Sequence, residues 1–349
     1  MKVLCLLDNE VKPGDRWLWK YLPSNTDEVD FLVARGPADR FQKWGKLLSY
    51  YPSYWQAGLR ALRKTQQTHY DLVIAWEGKN GFPYAVLRSL FGQKSPPLII
   101  LAFNVRGVIS HFIGLIRFGL RSVSRIVVFT TVEVEQYQQL LSLAPDTITY
   151  CPHGWYDAMR WYDPEKVQKS EGLARAGKFI LASGRSYRDY ETLARAVEGT
   201  DVSVKVSGRP FNLAGVGLPK NMETTGWLTD QDLQHYLYET YFYVVPLQPI
   251  THAGGDSSLL QAMSFGKAVV ATRAPSTETY IQHGETGLLV EPHDIDGMRQ
   301  AILYLWHNPD EARRMGKAAR HRFEENHTID HLARRIYGIA QQVADSQSK

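Results

Sequence analysis

Cysteine is almost missing. The chain has two in 349 residues, Cys5 and Cys151, each inside an apolar, strand-like run. That excludes a disulfide framework and a cysteine metal centre, and it fits thiols buried in a reducing cytosol. Long clean apolar runs are missing as well. The richest stretch, residues 96–120, is interrupted by Arg106, His111 and Arg117, which makes it a poor membrane span. The apolar start MKVLCLL is closed off by Asp8 and Glu10, so no signal peptide is expected there. No Walker loop, no internal repeat and no low-complexity tract beyond the final QSK is found. His111, His153 and His252 do not stand at metal-ligand spacings. The serines of GGDSS lack the glycine pattern of a nucleophile elbow. DID at 294–296 reads as a helix cap before MRQAILYLW rather than as a carboxylate metal pair. The expectation is therefore no metal, no cofactor and no nucleic-acid partner.

What is present is the composition of a folded protein, 44% hydrophobic and 22% charged, long enough for two domains. The net charge of +4 is uneven. Residues 1–150 hold 18 Lys+Arg and 12 Asp+Glu, giving +6, which leaves 22 and 24, or −2, for the remainder. Apolar strand-like runs alternate with helical patterns, the signature of parallel α/β sheets. In the first half the runs cover 2–7, 27–36, 70–76, 96–103, 124–131 and 147–154; in the second, 178–184, 202–208, 241–247, 267–272 and 286–292. Between them, the polar and aromatic stretch 155–177 reads as a linker. Two doubly wound domains imply ligands at the carboxyl ends of the strands.

Residues 251–272, THAGGDSSLLQAMSFGKAVVAT, place a glycine turn before a short apolar helix. Gly254 and Gly255 permit close backbone approach. Ser257 and Ser258 are N-cap candidates, and the helix amides make an anion site. A plain strand-to-helix turn has the same spacing. Arg185 and Arg188, in the loop of ASGRSYRDYETLARAV, suit a diphosphate through forked hydrogen bonds, or else form a solvated basic loop.

With these residues in view, the second half resembles the nucleotide-binding domain of the family 4 glycosyltransferases, which have the two-Rossmann GT-B fold. GRSYRDYETLARA resembles the family's glycine-arginine loop. TTGWLTDQDLQHYL, with Trp227 and Leu228, resembles its base-binding segment, and the block 259–292 is the most specific match. ENHTIDHLARRIYGIAQQV resembles the final helix that crosses back to the first domain. The resemblance implies two Rossmann-like domains facing across a cleft. It places an acceptor domain at 1–155, a nucleotide-sugar domain at 156–327 and a returning helix at 328–349.

It also implies a nucleotide-sugar donor bound near Gly184, Gly254 and Gly255, with its diphosphate against Ser257, Ser258 and Leu259 and with Arg185 and Arg188 on its other side. Transfer to a glycan, lipid-linked or small-molecule acceptor would retain anomeric configuration and need no metal. The family's two glutamates, eight positions apart, are replaced by Ala253 and Gln261. Gln261 still offers a donor and an acceptor to a ribose, and His252 or Asp256 could take the sugar contact. Asn104 stands where the family often has histidine. Glu77, at the end of a strand, is a candidate for acceptor binding or base work. The rivals are a GT-B protein that binds nucleotide sugar without catalysis and a nucleotide-sugar epimerase. Arg117, Arg121 and Arg125, four apart in HFIGLIRFGLRSVSR, would share one helix side facing an anionic bilayer, or belong to a core helix. The expected location is cytoplasmic, peripheral on the inner membrane face.

Overall fold

The computed structural model describes residues 1–8, 16–22, 26–34, 51–91, 95–103, 113–163 and 177–346. Asn104 and His111 lie outside them, as does most of the 155–177 stretch. The chain divides into two compact units, Met1–Cys151 with Leu332–Lys349, and Pro152–His331.

The first unit holds a six-stranded parallel sheet of β1 (Lys2–Leu7), β2 (Glu28–Val33), β3 (Leu72–Trp76), β4 (Leu98–Leu101), β5 (Arg125–Val128) and β6 (Ile148–Tyr150). They run in the order β2-β1-β3-β4-β5-β6. Strands such as LVIAW and LIIL are apolar at every position because both faces are covered. Cys5 and Cys151 are buried and form no disulfide, and burial raises both thiols, Cys151 to about 12.

The second unit repeats the scheme with β7 (Ile180–Ser183), β8 (Val204–Ser207), β9 (Met222–Thr224), β10 (Tyr243–Val245), β11 (Val269–Thr272) and β12 (Gly287–Val290). Their order is β12-β11-β10-β7-β8-β9, all parallel. Successive side chains serve opposite faces. Leu181, Tyr243, Val245 and Val269 enter one core, while Ile180, Ala182, Val244 and Val270 enter the other.

Three expectations need correction. Strand β9 was missed, because it is three residues long and two of them, Glu223 and Thr224, are exposed. The linker reading fails for the described residues 155–163, since Trp155, Ala158 and Tyr162 pack on the core of the second unit. The arginine stripe does not form. The helix there is Ile113–Leu120, so Arg117 lies in it, Arg121 follows its end and Arg125 opens β5. Among the described residues, no helix is long and apolar enough to cross a membrane.

Candidate functional site

In an open parallel sheet, ligands bind where the strand order reverses, at the carboxyl ends. In the second unit that point lies between β7 and β10. The loops leaving these strands are stitched together: Gln248 N–H donates to the Tyr187 carbonyl at 2.9 Å and Asp189 N–H to the Pro246 carbonyl at 3.1 Å. Arg188 is the clip beneath them. It is buried, and its guanidinium donates to the Ser183 carbonyl (3.1 Å), the Ser186 carbonyl (2.9 Å) and Ser258 Oγ (2.8 Å). Gly184 has φ +132°, and a Cβ there would overlap the guanidinium, so the close packing requires glycine. Asp189 caps the helix Tyr190–Val197 through Thr192 and holds His293 Nδ1 at 2.9 Å.

The turn after β10 leads into the helix Asp256–Ser264. Its N-cap is Gly255 at φ +82°, with no side-chain cap, so Ser257 and Ser258 stand inside the first turn rather than capping it. Leu259 N–H makes the first intrahelical bond, to the Gly255 carbonyl at 3.0 Å. The N–H groups of Ser257 and Ser258 precede it and have no acceptor within the helix, which leaves partial positive charge at this end. Asp256 is buried, and its Oδ1 accepts the Gly254 N–H at 3.1 Å, which fixes the glycine turn. Ser276 Oγ ties the Gly254 carbonyl at 2.7 Å. His252 meets the Tyr187 ring edge to face at 4.6 Å. Gln261 is half-buried one turn further along, and Leu259 is fully buried.

The structure thus ties the loop of Gly184 and Arg188 to the turn and helix start of His252, Gly254, Gly255, Asp256, Ser257 and Ser258, with Arg185 exposed in the first loop. Trp227, 46% exposed, and Leu228 follow β9 on the same edge of the sheet. Sequence reasoning missed Asp189, His293 and Asn212. Their signal was tertiary, since Asn212 Nδ2 reaches the Arg185 carbonyl across 27 residues at 2.7 Å and His293 reaches Asp189 across 104.

The first unit reverses strand order between β1 and β3. Asp8 and Glu77 follow those two strands and share one lysine, with Lys79 Nζ at 2.6 Å from Asp8 Oδ2 and 2.7 Å from Glu77 Oε2. Burial alone would push the Lys79 ammonium down, but hydrogen bonds and charge from both carboxylates raise it on balance. Glu77 has φ +65° and Trp17 φ +49°, a costly conformation for side chains this large. Trp17 packs edge-on against Trp76 at 5.7 Å. Among the described residues no group of three or more His, Cys, Asp or Glu is arranged to hold a metal ion.

Comparison with known proteins adds to this geometry. Residues 187–308 match the family model described as "Glycosyl transferases group 1". The chain is 33% identical over 158 residues to D-rhamnosyltransferase WbpZ of Pseudomonas aeruginosa, covering 42% of this chain and 41% of that protein. It is 25% identical over 221 residues to O-antigen chain mannosyltransferase C of Escherichia coli, covering 60% and 58%. The match therefore spans less than two thirds of either relative. Sucrose-phosphate synthase from Thermosynechococcus elongatus superposes with TM-score 0.76 at 16% identity over 99% of this chain and all of that one. Anabaena Alr3699/HepE, solved with UDP-glucose, gives 0.67 at 16% identity over 100% and 99%. These two likenesses bear on the fold alone.

Proposed function

We propose that this chain, which has the two-unit GT-B fold and whose residues 187–308 belong to the glycosyl transferases group 1, moves a sugar from a nucleotide-sugar donor to a glycan acceptor. The observation that carries the reading is the β7/β10 crevice, where a buried arginine clip, a glycine turn and a helix N-terminus converge. A diphosphate needs N–H donors in fixed positions, and this edge supplies them from backbone and guanidinium groups. Arg185, exposed at the rim, grips the phosphates, while Arg188 holds the loop in shape. The rhamnosyl- and mannosyltransferase relatives and the neighbour solved with UDP-glucose support a nucleotide sugar and a glycan.

As the nucleotide leaves, negative charge grows on its diphosphate. Arg185 and the Ser257 and Ser258 amides stabilise that charge without reorganising. This division of labour supports transfer without a metal and, as in the family resembled, with retention. With Ala253 in place of a glutamate, the sugar contact passes to His252, because Asp256 is already spent on the Gly254 amide. Glu77, kept beside a lysine, is the group in the first unit that meets the acceptor hydroxyl.

The test is a transfer assay with a panel of nucleotide sugars and saccharide acceptors, run with and without a chelator. Transfer from one donor, unchanged by chelation, is expected. Donor hydrolysis or transfer that depends strictly on added magnesium or manganese would defeat the metal-free mechanism, and inertness toward every donor would defeat the activity.

A further inference from the structure

Nothing in the sequence pattern singles out the turn after β8, yet it holds an unusual cation. Three ties fix the loops at the carboxyl ends of β7, β8 and β9 in one frame. The Tyr190 hydroxyl donates to the Gly184 carbonyl at 2.8 Å. Asn212 Nδ2 donates to the Arg185 carbonyl at 2.7 Å, while its Oδ1 accepts the Arg209 N–H at 3.2 Å. Leu228 N–H donates to Ser207 Oγ at 3.3 Å. On this frame the Arg209 guanidinium lies over the Trp227 ring, 4.6 Å from its centroid. Arg209 is half-buried, and no carboxylate among the described residues pairs with it.

A guanidinium seated on an aromatic face, with no counter-charge, is an oriented fork of N–H donors. Such a fork matches adjacent acceptors on a base edge. Guanine presents O6 and N7, and uracil and thymine present O4, whereas adenine sets an amino donor beside its N7. We propose that Arg209, seated on Trp227, contacts the nucleobase and selects nucleotides whose base carries a carbonyl over adenine nucleotides. The proposal rests on reading the β7/β10 crevice as the nucleotide site, and it assigns that site a base-selecting residue. Asn212 is then a positioning residue that keeps the backbones of Arg185 and Arg209 in register.

Calorimetric titration of UDP, GDP, dTDP and ADP into wild type, Arg209→Ala and Trp227→Leu tests this, with inorganic pyrophosphate as a probe of the phosphate loops alone. In wild type, at least one carbonyl-bearing diphosphate should bind about tenfold tighter than ADP or better, the usual discrimination of a forked arginine contact. Arg209→Ala should close that gap while leaving pyrophosphate affinity unchanged. If Arg209→Ala also loses pyrophosphate, its loops have moved, and Trp227→Leu, which removes only the seat, carries the test. A preference that survives both variants, or no preference against ADP in wild type, overturns the proposal. Wild type that binds none of the four overturns the nucleotide-site reading itself.

Discussion

The two units reverse strand order by the same topological rule and put opposite chemistry at the reversal. The β7/β10 crevice is built from donors: a guanidinium clip, glycine amides and a helix start. The buried carboxylates of Asp189 and Asp256 beside it are turned inward onto Thr192 and the Gly254 amide. The β1/β3 crevice is built from acceptors, Asp8 and Glu77, gathered on a single lysine and flanked by indole rings. On the proposed function, the first arrangement is the one that would receive an anion and the second the one that would receive hydroxyl groups. A shared fold thus sets where ligands sit, and the side chains leaving each strand set which ligands they are.

The comparison breaks most sharply at Arg188. Arg188→Ala removes three hydrogen bonds from a charged, buried group and leaves Ser258 without its partner. Stability should fall by about 3 kcal/mol in urea denaturation, and nucleotide binding should go with it. A stable variant with intact binding would show that the clip is ornamental. Arg185 sharpens the contrast, because it is exposed and the fold does not depend on it. Arg185→Ala should weaken nucleoside diphosphate binding by about 1.5–3 kcal/mol in calorimetry with no change in denaturation midpoint. On the other side, Glu77→Gln should leave nucleotide affinity unchanged and lower transfer about tenfold, the low end of what a positioned hydrogen-bonding group contributes. A matching loss of nucleotide affinity would mean that the two crevices are not chemically separate.

The smallest effect concerns pH. Burial pushes the His153 imidazole down to about 4, and its backbone N–H donates to the Tyr280 hydroxyl at 3.0 Å within the second unit. A lowered histidine binds fewer protons folded than unfolded. Stability from this group is therefore present above its ordinary value of 6.5 and is lost as pH falls from there toward 4. Denaturation midpoints measured across that window should decline less in His153→Gln than in wild type.

Much of the fold was legible because buried parallel strands write continuous apolar runs, as in LVIAW, LIIL and VVAT. Strand β9 was not legible, since a short strand with exposed polar residues has no such run. The glycine turn at 254–255 was legible as a turn before a helix, though its spacing alone did not separate an anion site from a plain strand-to-helix turn. The cap was not legible, because serine outranks glycine as an N-cap and so points to Ser257 or Ser258, whereas the helix begins at a left-handed Gly255. Arg188 reads in the sequence as a second phosphate ligand, and what spacing conceals is its burial and its bonds to Ser183, Ser186 and Ser258. The stripe of Arg117, Arg121 and Arg125 failed for a similar reason, since four-residue spacing has meaning only while the helix continues, and this one stops at Leu120.

The central claim is that a nucleoside diphosphate occupies the donor-built crevice and leaves the acceptor-built one empty. Amide hydrogen exchange with and without a saturating nucleoside diphosphate tests that directly. Protection should rise at 184–189 and 254–260 and stay unchanged at 8 and 77–81. Protection confined to the β1/β3 segments, with none at the glycine turn, would contradict the account.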